Sequence, residues 1–482
     1  MRQPLARPLL LSALLGVLLL LPAPSPAPPP LADRIDELLG RWEVDEAFWG
    51  IAVYDIDAQE MIFSRNAEQA FLPASNQKLI TSATALDVLG STHRYETMLH
   101  YNGTTEGAVM RGDLILDGSG DPTFGSTQVR GEDPLEVWSQ RLADMGVERI
   151  EGRLIGDDDA FDDRPYPEGW TVNYITDQKG RYIGNSAGGL SYRDNVVPVR
   201  VQATSPGAPP TVAIQPEGVV SVNNRATTGS RWRGSTLQIN RTFSTNQLVL
   251  TGSVARSYSG TLAVPISDPT LFTLRSFVKH LRDAGIETDL ELVDVDDLED
   301  RPNPGDPLFV EYSRPLAEIA AVVNKESNNF YAEQLFRTYG WGGSARGAAR
   351  RSKSFLREAD INTRKLLIHD GSGLSRKDLV TPQAMVKLLT HMNDHEEREA
   401  FLASLPRGGE ANTTLDYRLN QITVRAKTGS LEFVRALSGY TERANGNRVA
   451  FSLLANNYTG PSYRISRTID DIVRAVATTG PQ

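Results

Sequence analysis

Ser75-Asn76-Gln77-Lys78, Ser327-Asn328-Asn329 and Lys427-Thr428-Gly429 are three short strings whose residue types can share one reaction. They read S-x-x-K, S-x-N and K-T-G, in that order. A hydroxyl is a poor nucleophile at neutral pH unless a base removes its proton, and a lysine amine kept from water can be that base. A second hydroxyl, on Ser327, can pass a proton to a leaving amine, while the Asn329 amide holds a peptide group. The Lys427 ammonium and Thr428 hydroxyl can receive a carboxylate, and Gly429 lets a ligand lie close to the backbone. Together they suggest acyl transfer through a serine ester.

Each string is weak alone. S-x-x-K recurs at Ser276-Phe277-Val278-Lys279, and S-x-N at Ser221-Val222-Asn223 and Ser244-Thr245-Asn246. The elements that must position the residues choose between the copies. Ser75 follows Pro73-Ala74 and opens an apolar run, Leu79, Ile80, Ala83, Ala85, Leu86 and Leu89, that stops at Gly90. That pattern predicts a helix with Ser75 in its first turn. Residues three apart share a helix face, so Lys78 lies beside Ser75, and the helix N-terminus stabilises an alkoxide or oxyanion there. Ser276 and Lys279, by contrast, sit within an amphipathic helix over 271–281 with no turn signal, which reads as ordinary helix surface.

Ser327 and Asn329 occupy a polar break between an apolar helix and a second helix. Taken singly they would be helix caps. Lys427-Thr428-Gly429 ends the β-branched stretch 422–426. Strands over 436–441 and 449–455 follow, joined by the hairpin turn Asn445-Gly446-Asn447. Taken singly, K-T-G is a strand-end turn with an exposed lysine. Helix start, inter-helix loop and strand, in the required order, match one acyl-transfer constellation.

Other hydrolase patterns are missing. Asp370-Gly371-Ser372-Gly373 lacks the outer spacing of a G-x-S-x-G elbow, and there is no H-E-x-x-H. His391 and His395 are four apart but have no identifiable third ligand, so they read as surface histidines, and no metal or cofactor is called for.

Ser75 and Ser327 lie about 250 positions apart, far more than a compact β-lactamase core needs, so a large insertion separates them. At this point the chain resembles the class C low-molecular-mass penicillin-binding proteins, the D-alanyl-D-alanine carboxypeptidase/endopeptidase family. Beyond the three motifs, Asp370-Gly371-Ser372-Gly373-Leu374-Ser375-Arg376 resembles that family's D-G-S-G-L-S-R string. Gly118-Ser119-Gly120-Asp121-Pro122 is similar to its G-x-G-D-P segment, and Gly156-Asp157-Asp158 with Gly169-Trp170 is similar as well. Asn328 departs from the commoner S-D-N.

The resemblance implies an α/β multidomain fold. A transpeptidase-like domain, an antiparallel sheet flanked by helices, would span 32–94 and 265–482. One or two inserted β-rich domains would fill 95–264, with strand candidates within 112–116, 197–201, 236–239 and 247–251. It also implies a serine D-Ala-D-Ala carboxypeptidase/endopeptidase acting on peptidoglycan stem peptides and acylated by β-lactams. Ser75 would be the nucleophile and Lys78 its base, and Ser327 the proton relay. Asn329, Lys427, Thr428 and Gly429 would bind substrate, and the backbone N–H groups of Ser75 and Ser430 would form the oxyanion hole. Trp170 and Tyr174 are expected to touch a stem-peptide side chain, against the alternative that they pack the insertion's own core. A β-lactamase, distinguished by fast release of the penicilloyl group, and a non-catalytic cell-wall binding protein are the competing readings.

Arg2 and Arg7, the apolar stretch 9–21 and a Pro/Ala/Ser tract predict a signal peptide over 1–27, and hence export to the periplasm or cell-wall space. The chain has no cysteine, so neither a lipid-modified cysteine nor a disulfide is available. Its net charge of −10, without a basic tract, excludes nucleic acid as a partner. The apolar stripe Ile465, Ile469, Ile472, Val473 and Val476 fits packing against a sheet better than peripheral membrane contact.

Overall fold

The end of the chain folds back onto its beginning. In the computed structural model, which describes residues 29–129, 131–176, 185–230 and 234–479, the strands Val424–Leu431, Val434–Glu442 and Arg448–Asn456 form an antiparallel meander. The last of them pairs with Phe48–Asp55, from Phe48↔Asn456 to Asp55↔Val449, and Phe48–Asp55 pairs in turn with Glu60–Arg65. The K-T-G strand is therefore an edge of this five-stranded sheet. Side-chain alternation gives the sheet two apolar faces. Ala436, Tyr440 and Leu454 join the core of the helix Gln77–Leu89, while Leu437 and Leu453 join Leu31–Leu39 and the last helix, Ser462–Thr478. Ile465, Ile469, Ile472, Val473 and Val476 are all buried there, as packing against the sheet requires. No helix among the described residues is long and apolar enough to cross a membrane. The expected signal peptide lies outside the described residues.

The inserted part departs from expectation. Its main sheet runs Glu287–Asp294, Arg149–Asp157, Val109–Asp117, Glu96–Glu106, Pro307–Tyr312, with the first three strands parallel. Parallel neighbours need a long crossover. Here the crossover between Arg149–Asp157 and Glu287–Asp294 holds the smaller sheets built from Val196–Gln202, Thr211–Ile214 and Ser259–Pro265, and from Ser221–Asn224, Gln238–Arg241 and Gln247–Thr251. The helices Pro134–Asp144 and Pro269–Asp283 share one core with all of these strands through Trp138, Leu142, Phe272 and Phe277. The insertion is thus mixed α/β and returns to the first domain after Tyr312, not at 265. The helix Pro269–Asp283 and two further strands belong to it because their apolar sides complete its core.

The insertion braces the helix that begins at Asn329. From Asn329–Thr338, Gln334 Nε2 donates to the Gly120 carbonyl (3.2 Å) and the Gly188 carbonyl (3.0 Å). Arg337 Nη1 donates to Asp162 Oδ1 at 2.7 Å, and the Tyr331 hydroxyl donates to Ser126 Oγ at 2.8 Å. Each of these three side chains is fully buried. A buried polar group without partners costs about 1–3 kcal/mol, so this docking is strongly specified.

Candidate active site

Ser75 sits in a short 3-10 turn, Ala74–Asn76, that runs directly into Gln77–Leu89. That helix is buried on all sides from Gln77 to Leu86, so Lys78 is carried into the core. Ala74 holds φ 47, a left-handed conformation that is costly for a residue with a Cβ and persists only where its surroundings impose it. Asn76 helps impose it: its buried Nδ2 donates to the Lys427 carbonyl at 2.8 Å and ties the Ser75 turn to the K-T-G strand.

Lys78 Nζ lies 3.2 Å from Ser75 Oγ, 2.8 Å from Asn329 Oδ1 and 2.7 Å from the Ser372 carbonyl. Loss of water pushes its pKa down to about 7, against the opposing pull of the Asp370 and Glu333 carboxyls. An amine at that value is free to take a proton near neutrality, which an exposed lysine is not.

Ser327 also adopts a left-handed conformation, φ 61 and ψ 36, after a wide π-type turn, Val322–Glu326. Asn324 Nδ2 pins that turn by donating to Ser82 Oγ (3.0 Å) and Ser404 Oγ (2.9 Å). Asn328 is the cap of Asn329–Thr338, its Oδ1 accepting from the Tyr331 N–H at 3.0 Å. An aspartate would fill the same task, which explains the departure from S-D-N. Lys427 Nζ donates to Ser327 Oγ and to the Thr428 carbonyl, both at 2.9 Å. Burial first, and then the neighbouring Lys78, hold its pKa well below the usual lysine range.

A cleft of about 840 Å³ exposes Ser75, Ser327, Asn329, Thr428, Gly429 and Ser430 along its wall, with both lysines buried behind it. The structure thus brings every residue of the three motifs together. At Gly429 a Cβ would stand 2.8 Å from the Pro73 carbonyl and 2.9 Å from Ala436 Cβ, so its bareness admits the Ser75 turn. Trp170 and Tyr174 do not line this cleft. They pack with Ala74, Leu374, Leu431 and Val434 between insertion and sheet, and Leu374 is the member of that cluster that reaches the cleft wall.

Sequence reasoning singled out the string over 370–376 only by resemblance, and missed both its position behind Lys78 and its partner Glu333. Glu333, fully buried, accepts from the N–H groups of Gly371 and Ser372, both at 2.9 Å, through Oε1. Burial first, and then the nearby Asp370, push its pKa up to about 8. Asp370 accepts from Gly373 N–H (2.7 Å), Ser375 N–H (2.8 Å), the Ser372 hydroxyl (3.0 Å) and Trp170 Nε1 (2.7 Å). The two acids fix the backbone that presents the Ser372 carbonyl to Lys78, and Trp170 links the insertion to it. The Asp-Gly-Ser-Gly string carried a signal, since an aspartate before glycine commonly bonds backbone a few residues on. Glu333 carried none.

The second S-x-x-K falls elsewhere. Ser276 is in the middle of its helix with its hydroxyl donated to the Phe272 carbonyl at 2.7 Å, and Lys279 pairs with Asp283. Ser276 is buried, not on the surface, because its face covers the insertion's sheet. His395 lies with Nε2 3.2 Å from Asp87 Oδ1, and its ring centroid is 5.4 Å from that of His391.

Comparison with known proteins gives the family and the fold. The family model for D-Ala-D-Ala carboxypeptidase 3 (S13) matches residues 31–478. A D-alanyl-D-alanine carboxypeptidase of Actinomadura sp. (strain R39) is 31% identical over 94% of this chain and 86% of its own length. Penicillin binding protein 4 (dacB) from Haemophilus influenzae superposes with a TM-score of 0.78 at 23% identity, covering 92% of this chain and 99% of that one. Its complex with a β-lactam superposes at 0.74, with 22% identity and coverage of 92% and 100%. A peptidoglycan endopeptidase from Bdellovibrio bacteriovorus shares the fold at a TM-score of 0.55, with 16% identity and coverage of 90% and 94%. The chain therefore belongs to the D-Ala-D-Ala carboxypeptidase 3 (S13) family and is a serine-type D-Ala-D-Ala carboxypeptidase, a hydrolase of the penicillin-binding-protein fold.

Proposed function

We propose that the protein is exported and cleaves D-Ala-D-Ala bonds, and cross-links of the same chemistry, in peptidoglycan stem peptides through an acyl-enzyme on Ser75. The observation that carries this reading is the placement of Lys78 Nζ within 3.2 Å of Ser75 Oγ, with its pKa lowered to about 7. Lys78 takes the hydroxyl proton as Ser75 attacks the scissile carbonyl. The N–H groups of Ser75 and Ser430 receive the oxyanion. Ser327, held by Lys427, passes the proton to the leaving amine as the C–N bond breaks. Asn329 orients the peptide, and Thr428 with Lys427 receives the terminal carboxylate. Water then releases the acyl group, with Lys78 serving as base a second time.

Penicillin combines a strained acyl group with a carboxylate placed like that of acyl-D-Ala-D-Ala, so it should acylate Ser75 and leave slowly. Digestion and mass spectrometry of the labelled protein test this. An adduct on Ser276 or Ser372, or none, sinks the assignment, and rapid release would make the protein a β-lactamase.

The pH dependence follows from the same amine. Below about 7 Lys78 becomes protonated and cannot act as base, so the acylation rate should fall roughly tenfold per pH unit on the acid side and level off above it. Penicillin acylation rates across that range check this, and a flat profile would remove Lys78 as the base.

Trp170 and Tyr174, proposed to recognise a stem-peptide side chain, would do so through Leu374, which they pack against and which reaches the cleft wall. Tyr174→Ala is the cleaner probe because it leaves the bond from Trp170 to Asp370 in place. Turnover of diamino-acid-bearing peptides should drop more than penicillin acylation. Equal losses with a lower melting temperature would show a structural residue.

A further inference from the structure

The cleft does not end at the motif residues. Past the K-T-G strand it continues along the last helix, where Tyr463, Ser466, Arg467, Asp470 and Arg474 line it from positions that share one helical face. Arg435 joins the two regions. It stands directly across from Ser430 in the hairpin, so its side chain emerges on the same sheet face as those of Ser430 and Thr428.

The charges along this groove do not balance. Arg418 is matched by Asp470, with contacts of 2.7 and 3.1 Å, and Arg474 by Asp471 at 2.8 Å. Arg435 Nη1 donates to the backbone carbonyls of Leu431 (2.8 Å) and Val434 (2.7 Å), which fixes its direction without neutralising it. Arg467 lies against the Tyr463 ring, 5.9 Å from its centroid. Among the described residues neither Arg435 nor Arg467 forms an ion pair. The remaining acid on the wall, Glu326, is beside Ser327 at the reaction end. A chain of net charge −10 thus keeps two unmatched guanidinium groups in a groove that opens onto its nucleophile. Clefts lined by one sign of charge concentrate ligands of the other, and guanidinium suits carboxylates in particular.

Resting on the function proposed above, we infer that this groove is a leaving-side subsite that takes the acidic peptide expelled from a cross-link. Free D-alanine as leaving group has a single carboxylate, received at Thr428, and is too short to reach the last helix. In a cross-link the expelled amine belongs to a diamino acid that continues into a second stem peptide bearing further carboxylates. Those carboxylates meet Arg435 and then Arg467. The groove therefore biases the enzyme toward cross-linked substrates, that is, toward endopeptidase action.

Arg467→Glu tests this at an exposed position, and Arg467→Lys keeps the charge. The substrates are a cross-linked muropeptide dimer and a monomeric pentapeptide, with penicillin acylation as the control for an intact site. For Arg467→Glu the dimer-to-monomer ratio of kcat/KM should fall about tenfold, chiefly through KM. Arg467→Lys should restore most of it. The wild-type KM for the dimer should rise with salt, and that of Arg467→Glu should not. An unchanged ratio, or equal losses on dimer, monomer and penicillin, overturns the groove's role while leaving the acyl-enzyme reading intact. Failure of penicillin to label Ser75 in the wild-type protein would instead remove the reading on which it rests.

Discussion

Lys78→Ala should slow penicillin acylation by about a thousandfold or more, equivalent to about 4 kcal/mol of transition-state stabilisation. The substitution removes the only amine within reach of Ser75 Oγ among the described residues, since the other buried lysine, Lys427, is committed to Ser327 and the Thr428 carbonyl. It also removes the donor to Asn329 Oδ1 and to the Ser372 carbonyl. The buried Ser372 carbonyl left bare costs about 1–3 kcal/mol, but a lysine whose pKa is pulled down to about 7 is itself unfavourably buried when charged. The two effects oppose each other, so the melting temperature should move far less than the rate. Thr428→Val makes the contrast. It keeps Lys78 and removes the hydroxyl proposed to receive the substrate carboxylate, so activity should drop but stay measurable. Acylation of Lys78→Ala at the wild-type rate would exclude the proposed base.

The motif residues were legible because each stands on strong local punctuation. Pro73 and Gly90 bracket the nucleophile's helix, and Gly90 takes φ 80 at its end as a helix stop requires. Gly446, at φ 88, makes the hairpin turn that Asn445-Gly446-Asn447 predicts. What escaped is non-local. The pairing of Arg149–Asp157 with Glu287–Asp294 crosses more than a hundred residues, and no composition change near 265 announces it. Glu333 looks like any helical glutamate between Ala332 and Gln334. Only the arrival of the Gly371–Ser372 backbone, whose N–H groups need an acceptor in a dry site, gives that carboxyl its place. Trp170 could be singled out from the sequence, but its indole partner, Asp370, is known only once the insertion docks.

Gly373→Ala should abolish most acylation although it touches no substrate and removes no polar group. Gly373 holds φ +80, and a Cβ built there stands 1.9 Å from the Ala74 carbonyl oxygen and 2.5 Å from its carbon. The left-handed conformation alone costs an alanine about 1–2 kcal/mol. The clash is worse because the obstacle is backbone, which cannot swing away as a flexible side chain would. Ala74 is already strained at φ 47 and directly precedes Ser75, so any yielding there displaces the nucleophile. Yielding on the other side displaces the Ser372 carbonyl that orients Lys78. A misplacement of about 1 Å can cost on the order of a hundredfold in rate. Gly371→Ala provides the comparison: its Cβ would meet the Ala332 carbonyl and Phe336 at 2.5 Å, away from the nucleophile's turn. Both variants should lose stability in thermal melts, but Gly373→Ala should lose acylation out of proportion to its melting temperature. Equal loss of rate per degree in the two would show that the Asp-Gly-Ser-Gly loop merely fills space, and that Ser75 and Lys78 hold their geometry without it.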